Sequence, residues 1–296
     1  MKYIITVNPH GGKKLGPQLL KDIKPIFDSA NAELFIIETT YAGHIQDIAN
    51  SIDLNNFDAF LAIGGDGSLH ELVNGMLNRS DKQKIPIGMI PGGSGNSYMH
   101  DLNLTDPIIA TESIINGKYK SMDVAKINVN HVIKYAVNMI GWGLVTDVGI
   151  KAEKYRWIGP SRYTILSFLE VLSNKNRYAK LTIGNKVIRD KFKFVIACNT
   201  VHVGKGMKMA PKSKLNDGLI DIIVVKSDVS KIRLFKILPK LFNGTHIEEP
   251  EVLYFQSENF SLFPDNNDVL NIDGEVLGQT PIKVQMQSKA IEIYVR

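Results

Sequence analysis

The chain has 296 residues, of which 44% are hydrophobic and 22% are charged, and its net charge is +5. This balance excludes a disordered chain, and a single cysteine excludes a scaffold held together by disulfides. Apolar runs of about 18 residues do not occur, so we expect no membrane-spanning helix. The length favours two domains, and the low cysteine content favours a cytoplasmic protein.

The N-terminal part of the chain alternates short β-rich runs with helical patterns. The sequence predicts strands over 3–7, 33–37, 57–63 and 87–90 and helices over 19–27, 44–52 and 69–77. Such alternation is typical of an α/β fold with a doubly wound, Rossmann-like parallel sheet. We assign residues 1–122 to this nucleotide-binding type of domain.

The pattern changes near residue 123 to closely spaced strands of period two. The sequence predicts strands over 132–140, 192–199, 219–225, 252–256, 269–272, 282–287 and 291–295, with helices over 154–172 and 231–242. Few helices among many short strands indicate a mainly antiparallel β-sandwich. We assign residues 123–287 to this second domain and expect the last strand, about 288–296, to return to the first.

Three of the four N-terminal strands are followed by a glycine-rich loop, at residues 8–14, 64–68 and 91–96. In open α/β sheets, ligands bind beyond the carboxyl ends of the strands, so these loops describe one crevice. Glycine lets backbone amides approach phosphate oxygens closely at a helix N-terminus. One such loop would be no more than a tight turn, but three together predict a phosphate site.

An acidic residue, Asp66, lies inside the second of these loops. A carboxylate beside phosphates is unfavourable unless it holds a metal ion or accepts a proton, and both roles indicate phosphoryl transfer. The loop matches neither GxxxxGK[ST] nor GxGxxG, so the P-loop and dinucleotide-binding patterns are not supported. Ser68 and Glu71 have the spacing of a helix capping box, which is the role we assign to Glu71.

A second acidic pair lies late in the chain, at Asp273 and Glu275 on either side of Gly274. Asp-Gly between β-rich runs predicts a hairpin turn. From the residues alone, the turn is the favoured interpretation of this segment.

Four motifs resemble, in the same order, those of the lipid-kinase family of diacylglycerol, sphingosine and ceramide kinases. They are IGGDGSLHELVNGML, PGGSGN, MKMAPKSKLNDGLIDI and DGE. The resemblance covers nearly the whole chain. It implies a nucleotide-binding α/β domain followed by a lipid-binding β-sandwich, with ATP and Mg²⁺ as cofactors.

The resemblance also implies which residues bind the nucleotide. These are Asn8, Gly11, Gly12, Lys13, Thr39, Gly64, Gly65, Gly67, Gly93, Ser94, Gly95, Asn96, Arg156 and Arg162. His44 matches a histidine at a helix start, and Asp123 matches an acid of a structural Mg²⁺ network. Ser97 stands where that network has an aspartate, which weakens the match for this metal site.

For the acceptor, the resemblance implies that Asp147 binds substrate. Gly149 stands where sphingosine kinases place an aspartate that recognises the sphingoid head group. A buried ammonium without a carboxylate partner is costly. A neutral acceptor, such as diacylglycerol or ceramide, therefore gains. Sphingosine stays open, because GSGN followed by a small residue and the stretch 141–164 resemble sphingosine kinase-like members most closely.

The implied reaction transfers the γ-phosphate of ATP to a lipid hydroxyl. We assign Asp66 as the general base, Asp273 as a Mg²⁺ ligand, and Glu275 as a residue that orients nucleotide or acceptor. Some family members use the late glutamate as the base, so Asp66 and Glu275 could exchange roles. Two alternatives stay open: an NAD kinase-like enzyme, which shares GGDG, and a non-catalytic lipid-binding protein of the same fold.

The expected partner is a lipid substrate at a membrane surface, reached by peripheral contact. Lysines that could approach anionic lipid are Lys205, Lys208, Lys212 and Lys214. We expect no nucleic-acid partner. Pairing of sheet edges into a homodimer stays open, because no residue pattern requires it.

Overall fold

The structure is a computed structural model that describes residues 1–11, 14–93, 95–129, 131–155, 166, 177–204 and 206–296. The chain divides into two compact units. The first comprises Met1–Val124 with Ser288–Arg296, and the second comprises Ala125–Gln287.

The first unit is an α/β fold whose elements alternate along the chain. They are β1 (Lys2–Val7), α1 (Gly16–Ser29), β2 (Glu33–Glu38), α2 (His44–Ser51), β3 (Ala59–Gly64), α3 (Asp66–Leu77), β4 (Ile87–Pro91), α4 (Ser97–Asp101) and α5 (Pro107–Ile115). The strands are parallel in the order β4-β3-β1-β2. Each predicted strand and helix of this unit is confirmed, with bounds that differ by a few residues.

Both faces of this parallel sheet are covered. On one face, Tyr3 and Ile5 of β1 pack with Ile23 and Phe27 of α1 in a fully buried cluster. Helices α2 and α3 pack so closely that a Cβ added to Gly75 would lie 2.4 Å from a backbone oxygen. Strands that are buried on both faces have continuous apolar sequences, and β1 and β3 show this pattern. The predicted doubly wound, Rossmann-like class is confirmed.

The second unit is mainly antiparallel β-structure. Its elements, with two strands that run on into the first unit, are β5 (Tyr119–Val129), β6 (Val132–Ala136), β7 (Met139–Gly143), α6 (Leu144–Lys154), β8 (Arg177–Ile183), β9 (Lys186–Cys198), β10 (His202–Val203), β11 (Met207–Lys208), β12 (Ile220–Lys226), α7 (Lys231–Ile237), β13 (Val252–Ser257), β14 (Asn259–Pro264), β15 (Val269–Ile272), β16 (Glu275–Gln279) and β17 (Ile282–Tyr294). Two 3₁₀ helices follow α7, at Leu238–Leu241 and Thr245–Glu248.

The strands of this unit pair in two connected series, β16-β15-β7-β9-β8-β14-β17 and β9-β12-β13. Trp142 and Phe192 meet edge to face in a large apolar core. Residues that alternate along each strand thus place one face of the sheet inward, as in a β-sandwich. The predicted β-sandwich class is confirmed.

Three predictions for this unit differ from the structure. The strand predicted over 132–140 is two strands, because the N–H groups of Val137, Asn138 and Met139 donate to the Asp273 carboxylate. The two strands predicted at the C-terminus are one, β17, in which Lys289 takes a left-handed conformation that interrupts the alternation. The helix predicted over 231–242 ends at Ile237 and continues as 3₁₀ turns.

The remaining outcomes concern strands that were not predicted, a predicted helix outside the described residues, and membrane-spanning helices. The predicted strands did not include β5, β8, β10, β11, β14 or β16. The outward faces of β8 and β14 mix polar residues with an aromatic one, which weakens the alternating pattern. The helix predicted over 154–172 falls almost entirely outside the described residues. Of the described helices, none is both long enough and apolar enough to cross a bilayer.

Candidate functional site

Two glycine loops meet at the carboxyl edge of the parallel sheet. Strands β3 and β4 are adjacent and parallel, so the loops that follow them emerge side by side, and the Gly92 N–H donates to the Gly64 carbonyl at 2.8 Å. A Cβ added to Gly93 would lie 2.5 Å from the Cα of Gly65. The two backbones therefore touch, and glycine is required for this contact.

Asp66 begins helix α3 at this point of contact and remains partly exposed. Its Oδ1 accepts a hydrogen bond of 3.2 Å from the Tyr98 N–H, at the start of α4 in the second loop. A Cβ on Gly95 would lie 2.9 Å from Oδ2 of Asp66. A side chain at position 95 would therefore press against the second carboxylate oxygen of Asp66.

The second loop is held in shape by Asn96. Its side chain accepts from the Gly93 N–H at 3.1 Å and donates to the Gly93 carbonyl at 3.0 Å, and its own backbone is left-handed with φ of 51°. The structure thus brings together most of the predicted nucleotide residues of these loops. Those described are Gly64, Gly65, Gly67, Gly93, Gly95 and Asn96, and the predicted base Asp66 lies among them.

The loop after β1 lies at the same edge of the sheet. The Asn8 carboxamide accepts from the His10 N–H at 2.9 Å, and a Cβ on Gly11 would lie 2.8 Å from the Asn8 side chain. Thr39 is buried after β2, where its N–H donates to the Val7 carbonyl at 2.9 Å. Because β1, β2, β3 and β4 are parallel, all four loops share one edge.

Five of the predicted nucleotide residues lie outside the described residues. They are Gly12, Lys13, Ser94, Arg156 and Arg162. Their assignments stay predictions.

The capping-box prediction for α3 is wrong. The helix begins at Asp66 rather than after Ser68, and its N-cap, Gly65, makes no side-chain cap hydrogen bond. Ser68 lies inside the helix, where its Oγ would be 2.0 Å from a Cβ on Gly64. Glu71 does cap a helix, but that helix is α2, to which its carboxylate reaches from α3.

The late acidic pair forms a hairpin turn between β15 and β16. Asp273 and Gly274 both have positive φ, of 54° and 97°, and Ile272 pairs with Glu275 across a two-residue loop. Positive φ at both central residues is the type I′ turn that Asp-Gly favours. The predicted turn is confirmed.

The two carboxylates of this hairpin lie in opposite environments. Asp273 is 5% exposed, and its oxygens accept from the N–H groups of Val137, Asn138 and Met139 at 2.8–2.9 Å. Glu275 is exposed at the start of β16. Asp273 therefore anchors the β6–β7 connection, and the structure gives no support to its assignment as a Mg²⁺ ligand. Glu275 is the carboxylate of the pair that faces solvent.

Asp147 on α6 is paired with an arginine from β8. Both of its oxygens accept from Nη2 of Arg177, at 2.9 and 3.0 Å, and Nε of Arg177 bonds Asp268. Burial alone would lower the pKa of the Arg177 guanidinium, but the hydrogen bonds and charges of the two aspartates raise it above its usual range. Asp147 is therefore neutralised within the protein, which weakens its predicted role as a substrate ligand.

Arg177 was not among the predicted functional residues. Its partners lie 30 and 91 residues away in the chain, so no local pattern marks it. The only local signal was an arginine beginning a β-rich run.

Gly149 lies buried on the same helix, facing β15. A Cβ added there would lie 2.7 Å from Nδ2 of Asn271. The Asn271 Oδ1 in turn accepts from the Gly274 N–H at 2.9 Å, which limits how far this side chain can move. The space that an aspartate would need at position 149 is thus occupied by Asn271.

Asp123 is almost fully buried, and its Oδ1 accepts from the Lys289 N–H at 2.8 Å. Within the described part of the chain, no three His, Cys, Asp or Glu side chains come together in a way that would hold a metal ion. Mg²⁺ in kinases is bound largely by substrate phosphates with one or two carboxylates, so this residue set fits Mg²⁺ brought with a nucleotide rather than a protein-only site. The metal roles of Asp123 and Asp273 stay predictions.

The described loops have the chemistry of a phosphate site. Backbone amides at the edge of the sheet and the start of α3 favour anionic oxygens, and the glycines leave room for them. Such donors suit the phosphates of a nucleotide. A Cβ at position 65 or 93 would lie 3.0 or 2.5 Å from a Cα of the facing loop, and one at position 95 would lie 2.9 Å from Asp66, so side chains there would displace the loops. The partly exposed Asp66 lies where these loops meet.

Comparison with known proteins gives two matching family models. Residues 2–127 match the diacylglycerol kinase catalytic domain, and residues 138–295 match the YegS C-terminal NAD kinase beta sandwich-like domain. Sphingosine kinase 1 of Arabidopsis thaliana is 30% identical over 99% of this chain and 72% of its own length. The diacylglycerol kinase of Bacillus subtilis is 25% identical over 94% of this chain and 90% of its own length.

Among solved structures, a diacylglycerol kinase from Bacillus anthracis has a TM-score of 0.81 at 23% identity. The match covers 100% of this chain and 97% of that one. At this identity the likeness concerns the fold.

Proposed function

Because the chain belongs to the family of diacylglycerol and sphingosine kinases, we propose that it transfers the γ-phosphate of ATP to a primary hydroxyl of a neutral lipid. The main observation in favour of phosphotransfer is the contact between the Gly65 and Gly93 loops. This contact places Asp66 beside the backbone amides that would bind the phosphates. The acceptor class is inferred from the surroundings of Gly149 and Asp147.

The proposed nucleotide site uses the loops at the carboxyl edge of the parallel sheet. The amides that follow β1, β3 and β4 would bind the phosphates, and Asn96 would hold its loop in the binding conformation through its two hydrogen bonds to Gly93. Bound Mg-ATP would supply the transferable phosphoryl group, with the metal neutralising charge on the phosphates. The protein mainly aligns the reactants and excludes water.

Asp66 is the proposed general base. One of its oxygens is oriented by the Tyr98 N–H, and Gly95 places no side chain against the other. The acceptor hydroxyl would give its proton to this carboxylate as its oxygen forms a bond to the γ-phosphorus of ATP. The bond from that phosphorus to the bridging oxygen would break, and ADP would leave. Glu275 is the alternative base, because it is the exposed carboxylate of the late hairpin.

A neutral acceptor is proposed because neither candidate position offers an unpaired carboxylate to an ammonium group. Position 149 is glycine, with Asn271 in the space that a side chain would need. Asp147 is bound by Arg177 on both oxygens. Recruiting Asp147 to a sphingoid amine would require breaking that pair, which is costly where the charges are mostly buried.

The test of this function is an acceptor panel. Purified protein would be given radiolabelled Mg-ATP with diacylglycerol, monoacylglycerol, ceramide or sphingosine in mixed micelles, and with NAD in a separate reaction. We expect label in diacylglycerol or ceramide. Label in sphingosine alone would refute the neutral acceptor, and label in NAD alone would refute lipid phosphorylation. Lipid binding without turnover of any acceptor would support a non-catalytic protein.

A matched pair of variants isolates the charge at position 149. Gly149→Asp and Gly149→Asn add side chains of nearly equal size, so both disturb Asn271 alike and only the first adds a carboxylate. We expect Gly149→Asp to raise phosphorylation of sphingosine relative to diacylglycerol, and Gly149→Asn to leave that ratio unchanged. Equal ratios in the two variants would contradict a role for this position in recognising the head group.

Contact with the lipid surface is proposed to involve α7 and the 3₁₀ turn after it. Ile232 is 70% exposed and Phe242 is 49% exposed, and Lys236 lies exposed on the same helix. Apolar side chains flanked by lysine favour a membrane interface. Ile232→Ser with Phe242→Ser should reduce sedimentation with vesicles containing anionic lipid, while turnover of a short-chain, soluble acceptor is retained. Undiminished sedimentation would exclude this surface.

A further inference from the structure

Glu71 connects two helices of the first unit in a way that the sequence did not indicate. It lies on α3, five positions after Asp66. Its Oε1 accepts from the Gly43 N–H at 2.8 Å, and its Oε2 accepts from the Ile45 N–H at 3.1 Å. These donors belong to the start of α2, whose own N-cap provides no side-chain cap hydrogen bond. One carboxylate therefore satisfies two end groups of α2, where its negative charge is also favoured by the helix dipole.

The segment that precedes α2 is ordered by further contacts. The Tyr41 ring stacks on His44 with centroids 4.5 Å apart, and its hydroxyl donates to Asp47 at 2.9 Å. The Thr40 N–H donates to Nδ1 of His44 at 3.2 Å. With Thr39 bonded to β1, residues 39–44 are attached to the sheet at one end and to α3 at the other.

Residues 39–44 follow β2, and Asp66 follows β3. Both strands pair with β1 in parallel, so the two segments leave the same edge of the sheet, about 10 Å apart at the usual spacing of strands. Beyond the sheet, the carboxylate of Glu71 links this segment to the helix that Asp66 begins. The distance between the segment and Asp66 therefore depends on Glu71.

We infer that Glu71 is a positioning residue of the nucleotide site, which holds residues 39–44 at a fixed distance from Asp66. This inference rests on the proposed function, since Thr39 is one of the proposed nucleotide contacts. Without Glu71, two backbone donors lose their acceptor, and ordering the segment becomes part of the cost of binding the nucleotide. The segment is not at the reacting atoms, so its loss weakens ground state and transition state equally. The effect should appear in the KM for ATP and leave kcat nearly unchanged.

The experiment compares Glu71→Ala and Glu71→Gln with a matched cap elsewhere in the same unit. Asp106 has the same chemistry at α5, where its Oδ1 accepts from the N–H groups of Ile108 and Ile109. We expect Glu71→Ala to raise the KM for ATP about tenfold, which corresponds to about 1.4 kcal/mol of binding free energy. Glu71→Gln keeps one acceptor oxygen and should give a smaller rise. Asp106→Ala should lower the melting temperature without changing the KM.

A second control removes a contact at the opposite end of α2. The Arg79 guanidinium donates to the carbonyls of Ala49 and Ile52 at 2.8 and 2.9 Å. Arg79→Met loosens α2 from α3 there but leaves Gly43 and Ile45 capped, so we expect lower stability and an unchanged KM. If Glu71→Gln and Arg79→Met shift the KM equally, general loosening of α2 explains the effect and the inference is overturned.

Failure of the inference can be distinguished from failure of the proposed function. Stabilisation by Mg-ATP in a thermal melt measures nucleotide binding without any acceptor. If wild-type protein is stabilised by Mg-ATP but phosphorylates no lipid, the acceptor chemistry is refuted, and the Glu71 variants are judged by the loss of that stabilisation. Equal stabilisation of wild type and Glu71→Ala would overturn the role of Glu71. No stabilisation of the wild type would overturn both.

Discussion

Two short segments of this protein combine aspartate with glycine, and they use the aspartate in opposite ways. In Gly65-Asp66-Gly67, Gly65 allows two loops to touch, and Asp66 is partly exposed and accepts from the Tyr98 N–H. In Asp273-Gly274-Glu275, the glycine completes a type I′ turn and Asp273 is buried under three amide donors. The first aspartate is partly exposed at the contact between two loops, and the second is a structural anchor.

The difference teaches that a motif identifies residue types but not which carboxylate is accessible. A carboxylate that accepts several backbone N–H groups has its charge stabilised and its lone pairs occupied. The neighbouring glutamate, at position 275, extends from the outside of the same turn. Variants of these carboxylates should therefore separate into those that alter turnover and those that alter stability.

The largest expected effect is on turnover in Asp66→Asn. The asparagine side chain has nearly the same shape as aspartate, and its oxygen can still accept from the Tyr98 N–H, so the fold should be retained. The asparagine amide cannot take the proton of the acceptor hydroxyl. Loss of a positioned base typically lowers the rate by about 10²- to 10⁴-fold. The check is kcat for lipid phosphorylation beside the thermal shift produced by Mg-ATP. Near-normal kcat with normal nucleotide binding would remove Asp66 from the base role.

Asp273→Ala should have the next largest effect, on stability. It leaves three buried N–H groups without their acceptor, and each unsatisfied group costs about 1–3 kcal/mol, so we expect a loss of about 3 kcal/mol or more in urea unfolding. Glu275→Gln, one residue beyond the turn, is the control for stability, since exposed substitutions usually change it by about 0.5 kcal/mol or less. If Asp273→Ala unfolds like the wild type, the anchoring role is incorrect.

Arg177→Met should have a smaller effect on stability and a distinct one on specificity. Breaking a buried pair costs about 3–5 kcal/mol, and because Arg177 and Asp147 retain some exposure, we expect a loss of about 2 kcal/mol. The variant also releases the Asp147 carboxylate, so phosphorylation of sphingosine relative to diacylglycerol should rise. An unchanged ratio in the acceptor panel would show that Asp147 does not face the acceptor even when unpaired.

The smallest expected effect is the pH dependence contributed by His246. Burial lowers the pKa of His246 below its usual value, although its contact with the Met209 carbonyl acts in the other direction. Because the folded state favours the neutral form of His246, this residue contributes stability above pH about 6.5. That contribution is lost as the pH falls through the lowered pKa. His246→Gln should flatten the fall in unfolding free energy over this acidic range, by at most about 1.4 kcal/mol per pH unit. The same slope in both proteins would exclude His246 as its source.

The parts of the fold that could be predicted are those with a strong local pattern. Strands β1, β3 and β4 are continuous apolar runs, and the amphipathic stretches between them became α1, α2 and α3 within a few residues. The division of 132–140 could not be predicted, because it depends on Asp273, more than 130 residues later. The cap formed by Glu71 was assigned to the wrong helix for a similar reason, since the spacing of a capping box does not show which helix the side chain reaches.

By itself, the sequence determined the α/β and β-sandwich classes, the glycine loops at the ends of parallel strands, and the family. The fold classes and the loops follow from periodicity and from residue types that only certain backbone conformations accept, whereas the family follows from the resemblance of four motifs. Only the tertiary structure decided that Asp66 lies partly exposed where two loops touch, that Asp273 and Asp147 are engaged, and that Asn271 fills the space beside Gly149. The physical reason is that a carboxylate's availability depends on the donors brought to it by distant parts of the chain, and those contacts leave no local pattern.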